Sequence, residues 1–199
     1  MKLAFKALKN ALVGTAILTS ATLSAAEETS GHELLRIGLG QMNYSYNNAV
    51  LGDLLPDRNK TLDFEWVHHL ESPISLRAGV TWLNPATKHW VRSGQAGSDT
   101  VSGSLINMGF GYDLVHAGWG TLTATGYLRH LHGTLDNKVT GNTWSTSDSK
   151  NRLALGLEAQ FQTLGDSGLS PYVSMQFFTS DVSFSGNYKF FSMGVSKRY

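Results

Sequence analysis

The chain contains no cysteine. Disulfides, thiolate metal sites and a lipidated N-terminal cysteine are thereby excluded. Basic and acidic residues nearly cancel, 16 against 15, so there is no basic patch suited to nucleic acid. Beyond residue 26 no uninterrupted apolar run reaches the roughly 18 residues of a spanning helix, which excludes a helical membrane protein. Lysine is scarce in the stretches that alternate apolar and polar residues. No catalytic signature occurs at a fixed spacing.

What is present begins with an export signal. Lys2, Lys6 and Lys9 form a basic start, residues 11–23 are mostly apolar, and Ser24-Ala25-Ala26 offers small residues for cleavage. Cleavage after Ala26 makes 1–26 a signal peptide and 27–199 the mature domain. It removes three lysines and no acid, taking the formal charge from +1 to −2.

The mature part shows eight stretches in which apolar side chains recur at every second position. Successive side chains of a strand point to opposite faces, so each stretch has one apolar and one polar face. Strands are expected near 33–46, 60–70, 74–83, 101–113, 119–131, 150–163, 171–180 and 188–199. Leu35, Ile37 and Leu39 oppose Arg36, Gly38 and Gly40; Leu153, Leu155 and Leu157 oppose Arg152, Gly156 and Glu158. Short connections (71–73, 114–118, 164–170) alternate with long ones (47–59, 84–100, 132–149), and 181–187 is brief. Short turns on one rim, long loops on the other and an even strand count are the pattern of an outer-membrane β-barrel. The fold expected is all-β: a closed, antiparallel, eight-stranded transmembrane barrel of the cell outer membrane.

A soluble β-sandwich would alternate too. Against it stand charges of both signs in mid-strand and aromatics gathered near strand ends. Tyr44, Tyr46 and Trp82 would form one interfacial girdle, and Tyr112, Trp119, Tyr172 and Tyr199 the other.

The chain closes Phe191-Ser192-Met193-Gly194-Val195-Ser196-Lys197-Arg198-Tyr199. This ending resembles that of small outer-membrane β-barrels: the opacity-type adhesins, outer-membrane protein X and the membrane domain of outer-membrane protein A. The resemblance is architectural over the mature chain and sequence-based only over these last residues. It implies that Phe191, Met193, Val195 and Tyr199 form the signal read by the barrel-assembly machinery. Lys197 departs from the pattern, standing on the lipid side where the family usually has an aromatic. So close to the rim it can reach headgroups, which implies slower assembly rather than failure. Functions in this group are diverse, so the likeness speaks to fold more than to activity.

Strand parity sends Arg36, Asp63, Glu65, Arg77, Arg129, Arg152 and Glu158 inward, four positive and three negative. In so narrow a barrel, near-balance suggests a network of ion pairs that fills the lumen. The competing reading is a gated ion path, with inward glycines leaving room for water.

His68 and His69 are adjacent and cannot chelate one ion together. His130 and His132 share a face and could offer two imidazoles to a metal, with Asp136 the nearest acid. His130 with Ser149 or Ser147 is the pairing that hydrolytic chemistry on lipid A would require. In the long connections, Trp90 and Arg92 in one and Trp144 in another have the composition of a binding surface, or of loop packing.

The function expected is surface interaction or envelope integrity through the long loops, not catalysis. A lipid A-modifying enzyme and a narrow gated channel are the alternatives. Outer-membrane lipids, lipopolysaccharide, the assembly machinery and an extracellular ligand are the partners expected; nucleic acid and cofactors are not. A monomer or weak oligomer is implied.

Overall fold

The computed structural model describes residues 32–46, 54–70, 73–164, 168–178 and 186–199. Residues 1–31, which include the expected signal peptide, and parts of four connections lie outside the described residues. Eight strands follow in chain order: β1 (His32–Tyr46), β2 (Arg58–His69), β3 (Ile74–Arg92), β4 (Gln95–Ala117), β5 (Gly120–Val139), β6 (Asn142–Phe161), β7 (Leu169–Phe178) and β8 (Gly186–Arg198). Each pairs antiparallel with the next, and β1 pairs with β8, closing the barrel.

The expected faces are those observed. Leu39, Met108, Phe110, Leu155 and Met193 stand exposed on the outside. Arg36, Asp63, Arg77, Arg129, Arg152 and Glu158 are buried inside. An exposed apolar exterior around a polar interior is stable only where lipid replaces water outside.

Two long connections are not loops. Residues 84–100 and 132–149 continue β3 into β4 and β5 into β6 as hairpins. Each turns on two residues, Ser93-Gly94 and Thr140-Gly141, and all four have positive φ. This is the geometry that two-residue hairpins favour, because its twist matches that of the strands. The dipeptides were the available signal; the Asn-, Ser- and Thr-rich composition around them masked it.

A tilted strand of about 9–11 residues crosses a bilayer, whereas β3 to β6 have 19, 23, 20 and 20 residues. Their surplus forms a four-stranded sheet that projects roughly 25–30 Å along the strands. The projection begins at an irregularity in β3 between Leu83 and Ala86, which contains Pro85. Proline lacks the N–H a ladder needs, and bulges are where it is tolerated. Asn59 steadies the break, its Nδ2 donating to the carbonyls of Asn84 at 2.6 Å and Val101 at 2.9 Å. Described β2 pairing ends at Thr61–Leu83, and described β7 pairing begins at Ala154–Phe178. Among the described residues, therefore, the projecting parts of β3 and β6 carry open sheet edges.

The girdle needs correction. Trp82, Tyr112, Trp119 and Tyr199 lie on the outer face or rim. Tyr172 is buried in the lumen, and Tyr44 packs edge-on against inward Tyr188 at 5.3 Å. Both occupy even positions of strands whose even positions face inward. Tyr46 ends β1, and its side chain lies outside the described residues.

Candidate functional site

The lumen is layered. At its centre Glu158 on β6 receives Arg36 of β1, whose Nη1 lies 2.8 Å away, and Arg77 of β3, whose Nη1 and Nη2 lie 2.9 and 3.0 Å away. Glu65 on β2 takes Arg36 Nη1 at 3.2 Å and the Tyr127 hydroxyl at 2.7 Å, and stands 3.6 Å from Arg77. Arg36 Nη2 also donates to Gln160 Oε1 at 2.6 Å. Five strands are thus tied across the barrel through two carboxylates.

The expected seven-residue network divides. Arg36, Glu65, Arg77 and Glu158 form it. Asp63 sits beside Thr81 and Ser192, within electrostatic reach of Arg129 but not in contact with it. Arg129 and Arg152 stand apart from the carboxylates, on aromatic faces. Arg129 lies 4.8, 5.2 and 5.0 Å from the ring centres of Tyr127, Phe178 and Phe190. Arg152 lies 4.7 Å from that of Tyr188. Parity assigned all seven to the interior, but their depths follow from the stagger of neighbouring strands.

Buried residues pack on both sides of the ion cluster. Toward the termini Leu34 and Val67, paired in register, share the lumen with buried Ser75, Ser170 and Ser196. Toward the hairpins Met42, Leu83, Leu105, Phe178, Tyr188 and Phe190 form a buried cluster. The space left beside the charges is about 20 Å³, bordered by Asp63, Glu65 and Arg129, enough for one or two waters. This buried apolar cluster stands between the charges and the hairpin end, so the protein in a planar bilayer is expected to give no discrete conductance steps. Steps from the unmodified barrel would contradict this packing.

The histidine pairing is also corrected. His130 Nδ1 meets Asn151 Oδ1 at 2.9 Å, and it is His132 whose Nδ1 meets Ser149 Oγ, at 2.7 Å. Ser147 pairs with Thr134 instead. Cross-strand register sets these partners. Asp148, adjacent to Ser149, faces the opposite side of the sheet and pairs with Lys150 at 3.7 Å, so it does not orient His132. Among the described residues no group of three or more His, Asp or Glu is placed to hold a metal.

Of the hairpin residues, Trp90 is not an exposed binding residue. Its ring covers Gly97, and its Nε1 donates to Asp99 Oδ2 at 3.1 Å. Asp99 is buried and also accepts from Asn137 Nδ2 at 2.5 Å. Trp90 therefore braces the sheet from within. Arg92 at the first hairpin tip is exposed, and so is Trp144 near the second, at 55%. Phe191, Met193 and Val195 lie exposed on the lipid face of β8, and the Tyr199 N–H donates to the Glu33 carbonyl at 3.1 Å. Lys197 is on the same face, 5.7 Å from the Tyr199 ring.

Similar architecture occurs among solved structures. Ail, the attachment invasion locus protein of Yersinia pestis, in complex with the heparin analogue sucrose octasulfate, aligns over 85% of this chain and 99% of its own, at 13% identity and a TM-score of 0.59. A major outer membrane protein from Thermus thermophilus aligns over 85% and 100%, at 10% identity and a TM-score of 0.56. No protein-family model and no curated protein matches the chain. Closure, the apolar exterior and these likenesses define the class: an eight-stranded β-barrel of the outer-membrane type.

Proposed function

We propose that this barrel is an anchor for surface interaction, and that the projecting β3–β6 sheet is its contact surface. The observation that carries the reading is the sheet itself: surplus strand residues ordered as paired strands and braced by Trp90, Asp99 and Asn137. Each of the four strands has roughly 10 residues more than a membrane anchor needs. Among the described residues no strand pairs with its outer edges on β3 and β6, a geometry that suits an extended segment of a partner, and Arg92, Val91 and Trp144 add exposed contacts near the tips. Ail, of the same fold, is named for attachment and was crystallised with a heparin analogue.

On this reading the long hairpins face outward from the cell, both termini face the periplasm, and the apolar exterior meets outer-membrane lipid. Lipopolysaccharide surrounds the base of the sheet, and the β8 residues Phe191, Met193, Val195 and Tyr199 serve the assembly machinery. The barrel acts as a monomer or weak oligomer.

Cells displaying the protein should adhere to surfaces coated with extracellular-matrix protein at least tenfold better than cells lacking it. Deleting 85–98, with the barrel still folded by its heat-dependent gel mobility, should return adhesion to background. Adhesion that survives the deletion would overturn the assignment to this sheet. Displaying cells that adhere no better than the control would favour an envelope-integrity role.

A further inference from the structure

Toward the hairpin end, the apolar run on the outer face of each strand stops and a polar position follows two residues on. On β1 Leu39 is followed by Gln41, on β8 Phe191 by Lys189, and on β2 Leu62 by Lys60 and then Arg58. On β3 to β6 the corresponding positions are Asn84, Ser104, His130 and Asn151, none of them lysine or arginine. On β7 that position lies outside the described residues. Register gathers the three cations. Lys189 and Arg58 flank Asn43 from either side, and Lys60 lies opposite Gln41. Two strand spacings, about 10 Å, separate Lys189 from Arg58, and two residues along β2, about 7 Å, separate Arg58 from Lys60. All three are exposed. Between them the Gln41 Nε2 donates to Asn43 Oδ1 at 2.5 Å, so the intervening strand brings no charge. Among the described residues the one acid beside them is Asp57, 3.9 Å from Arg58. Both of those side chains stand largely in solvent, where such a contact neutralises little.

On the terminal side of these cations lie Leu39, Phe177 and Phe191, exposed on the lipid face. The patch therefore joins a cationic rim to an apolar wall, which suits an amphiphile with an anionic head. We propose that β8, β1 and β2 hold the phosphorylated headgroup of an outer-leaflet glycolipid, the diphosphorylated lipid A end of lipopolysaccharide. Its acyl chains would lie along Leu39 and Phe191. A phosphate monoester carries about two negative charges at pH 7 and three acceptor oxygens. An arginine fork and two ammonium groups supply donors and charge to match. A phosphodiester headgroup offers half that charge. Exposed cations at a membrane surface act on anionic headgroups within a Debye length, and these three stand at that surface. The proposal rests on the outward orientation of the hairpins in the surface-interaction reading, but it uses the side of the barrel from which no sheet projects.

The test mixes the folded full-length mature barrel in zwitterionic micelles with diphosphorylated lipid A and counts retained lipid by native mass spectrometry. One lipid A per barrel is expected, at concentrations at least tenfold below those needed for dephosphorylated lipid A or phosphatidylglycerol. Lys60→Gln combined with Lys189→Gln should weaken retention at least tenfold. Arg92→Gln combined with Lys138→Gln removes the same charge from exposed positions on the projecting sheet and should leave retention unchanged. Deleting 85–98 should also leave it unchanged, so this site and the adhesion assignment fail separately. Each variant is first confirmed folded by gel mobility. Equal retention of phosphorylated and dephosphorylated lipid A would overturn the proposal. So would equal losses in the two double variants, which mark general charge attraction. Phosphatidylglycerol held as tightly as lipid A, or inorganic phosphate displacing lipid A at equal concentration, would assign the patch to phosphate as such and overturn the choice of ligand.

Discussion

Replacing Glu158 with glutamine is expected to destabilise the barrel by about 3–5 kcal/mol, the range for removing one partner of a buried ion pair. The side chain is 2% exposed and neutralises two guanidiniums, Arg36 and Arg77, themselves 1% and 0% exposed. Glutamine keeps the size and one acceptor oxygen but not the charge. Two buried cations would then share Glu65, whose side chain is 15% exposed and whose nearest approaches are 3.2 and 3.6 Å. That remaining carboxylate limits the loss without preventing it. The burial of both guanidiniums, with the apolar cluster on the hairpin side, keeps water from replacing the lost charge. Urea unfolding of the protein in lipid vesicles, followed by tryptophan fluorescence, measures the effect. Glu33→Gln near the rim, where the carboxylate is 28% exposed, should shift the transition by less than about 1 kcal/mol. A Glu158→Gln barrel as stable as wild type would mean that the cluster is not the tie across the lumen that its geometry describes.

Gly194→Ala should impair closure of the barrel. Gly194 pairs with Gly38 where β8 meets β1, the seam that joins the two ends of the chain. A Cβ at Gly194 would fall far inside van der Waals contact with the Ile37 carbonyl oxygen and within 2.6 Å of the Gly38 Cα. These are backbone atoms and have no rotamer to move to. A Cβ at Gly38 would meet the Tyr172 hydroxyl and, at 3.2 Å, the Met193 carbonyl. The two glycines are therefore small because the seam is tight, not because a turn requires them. Overpacking of this kind costs about 3 kcal/mol where nothing can yield. It falls on strands whose pairing spans the whole chain and so forms against the largest loop-closure entropy. The folded, heat-modifiable band should drop to a minor fraction in Gly194→Ala. Gly118→Ala, where an added Cβ meets nothing within 4 Å, should refold like wild type. Equal refolding of the two variants would show that the seam has slack.

Much of this architecture is readable from alternation. Residues 35, 37 and 39 against 36, 38 and 40 already separate lipid from lumen, because side-chain direction in a strand depends only on position parity. All seven expected lumen charges face inward for that reason. The departures share a cause as well: a cue from composition or place set against a stronger local one. A place near strand ends suggests the girdle for Tyr172 and Tyr44, while their own parity points inward. Composition suggests loops over 84–100 and 132–149, while the turn dipeptides Ser93-Gly94 and Thr140-Gly141 indicate hairpins.

Strand number, facing and the lipid exterior are thus properties of the local chain, set by a period of two and by where turns interrupt it. Partners and depth are not. That Glu158 meets Arg36 from 122 residues away, that Arg152 lies beside Arg129, and that His132 rather than His130 meets Ser149 all depend on register. Register is settled only when eight staggered strands close into a ring, and a shift of one pair would move every one of these contacts.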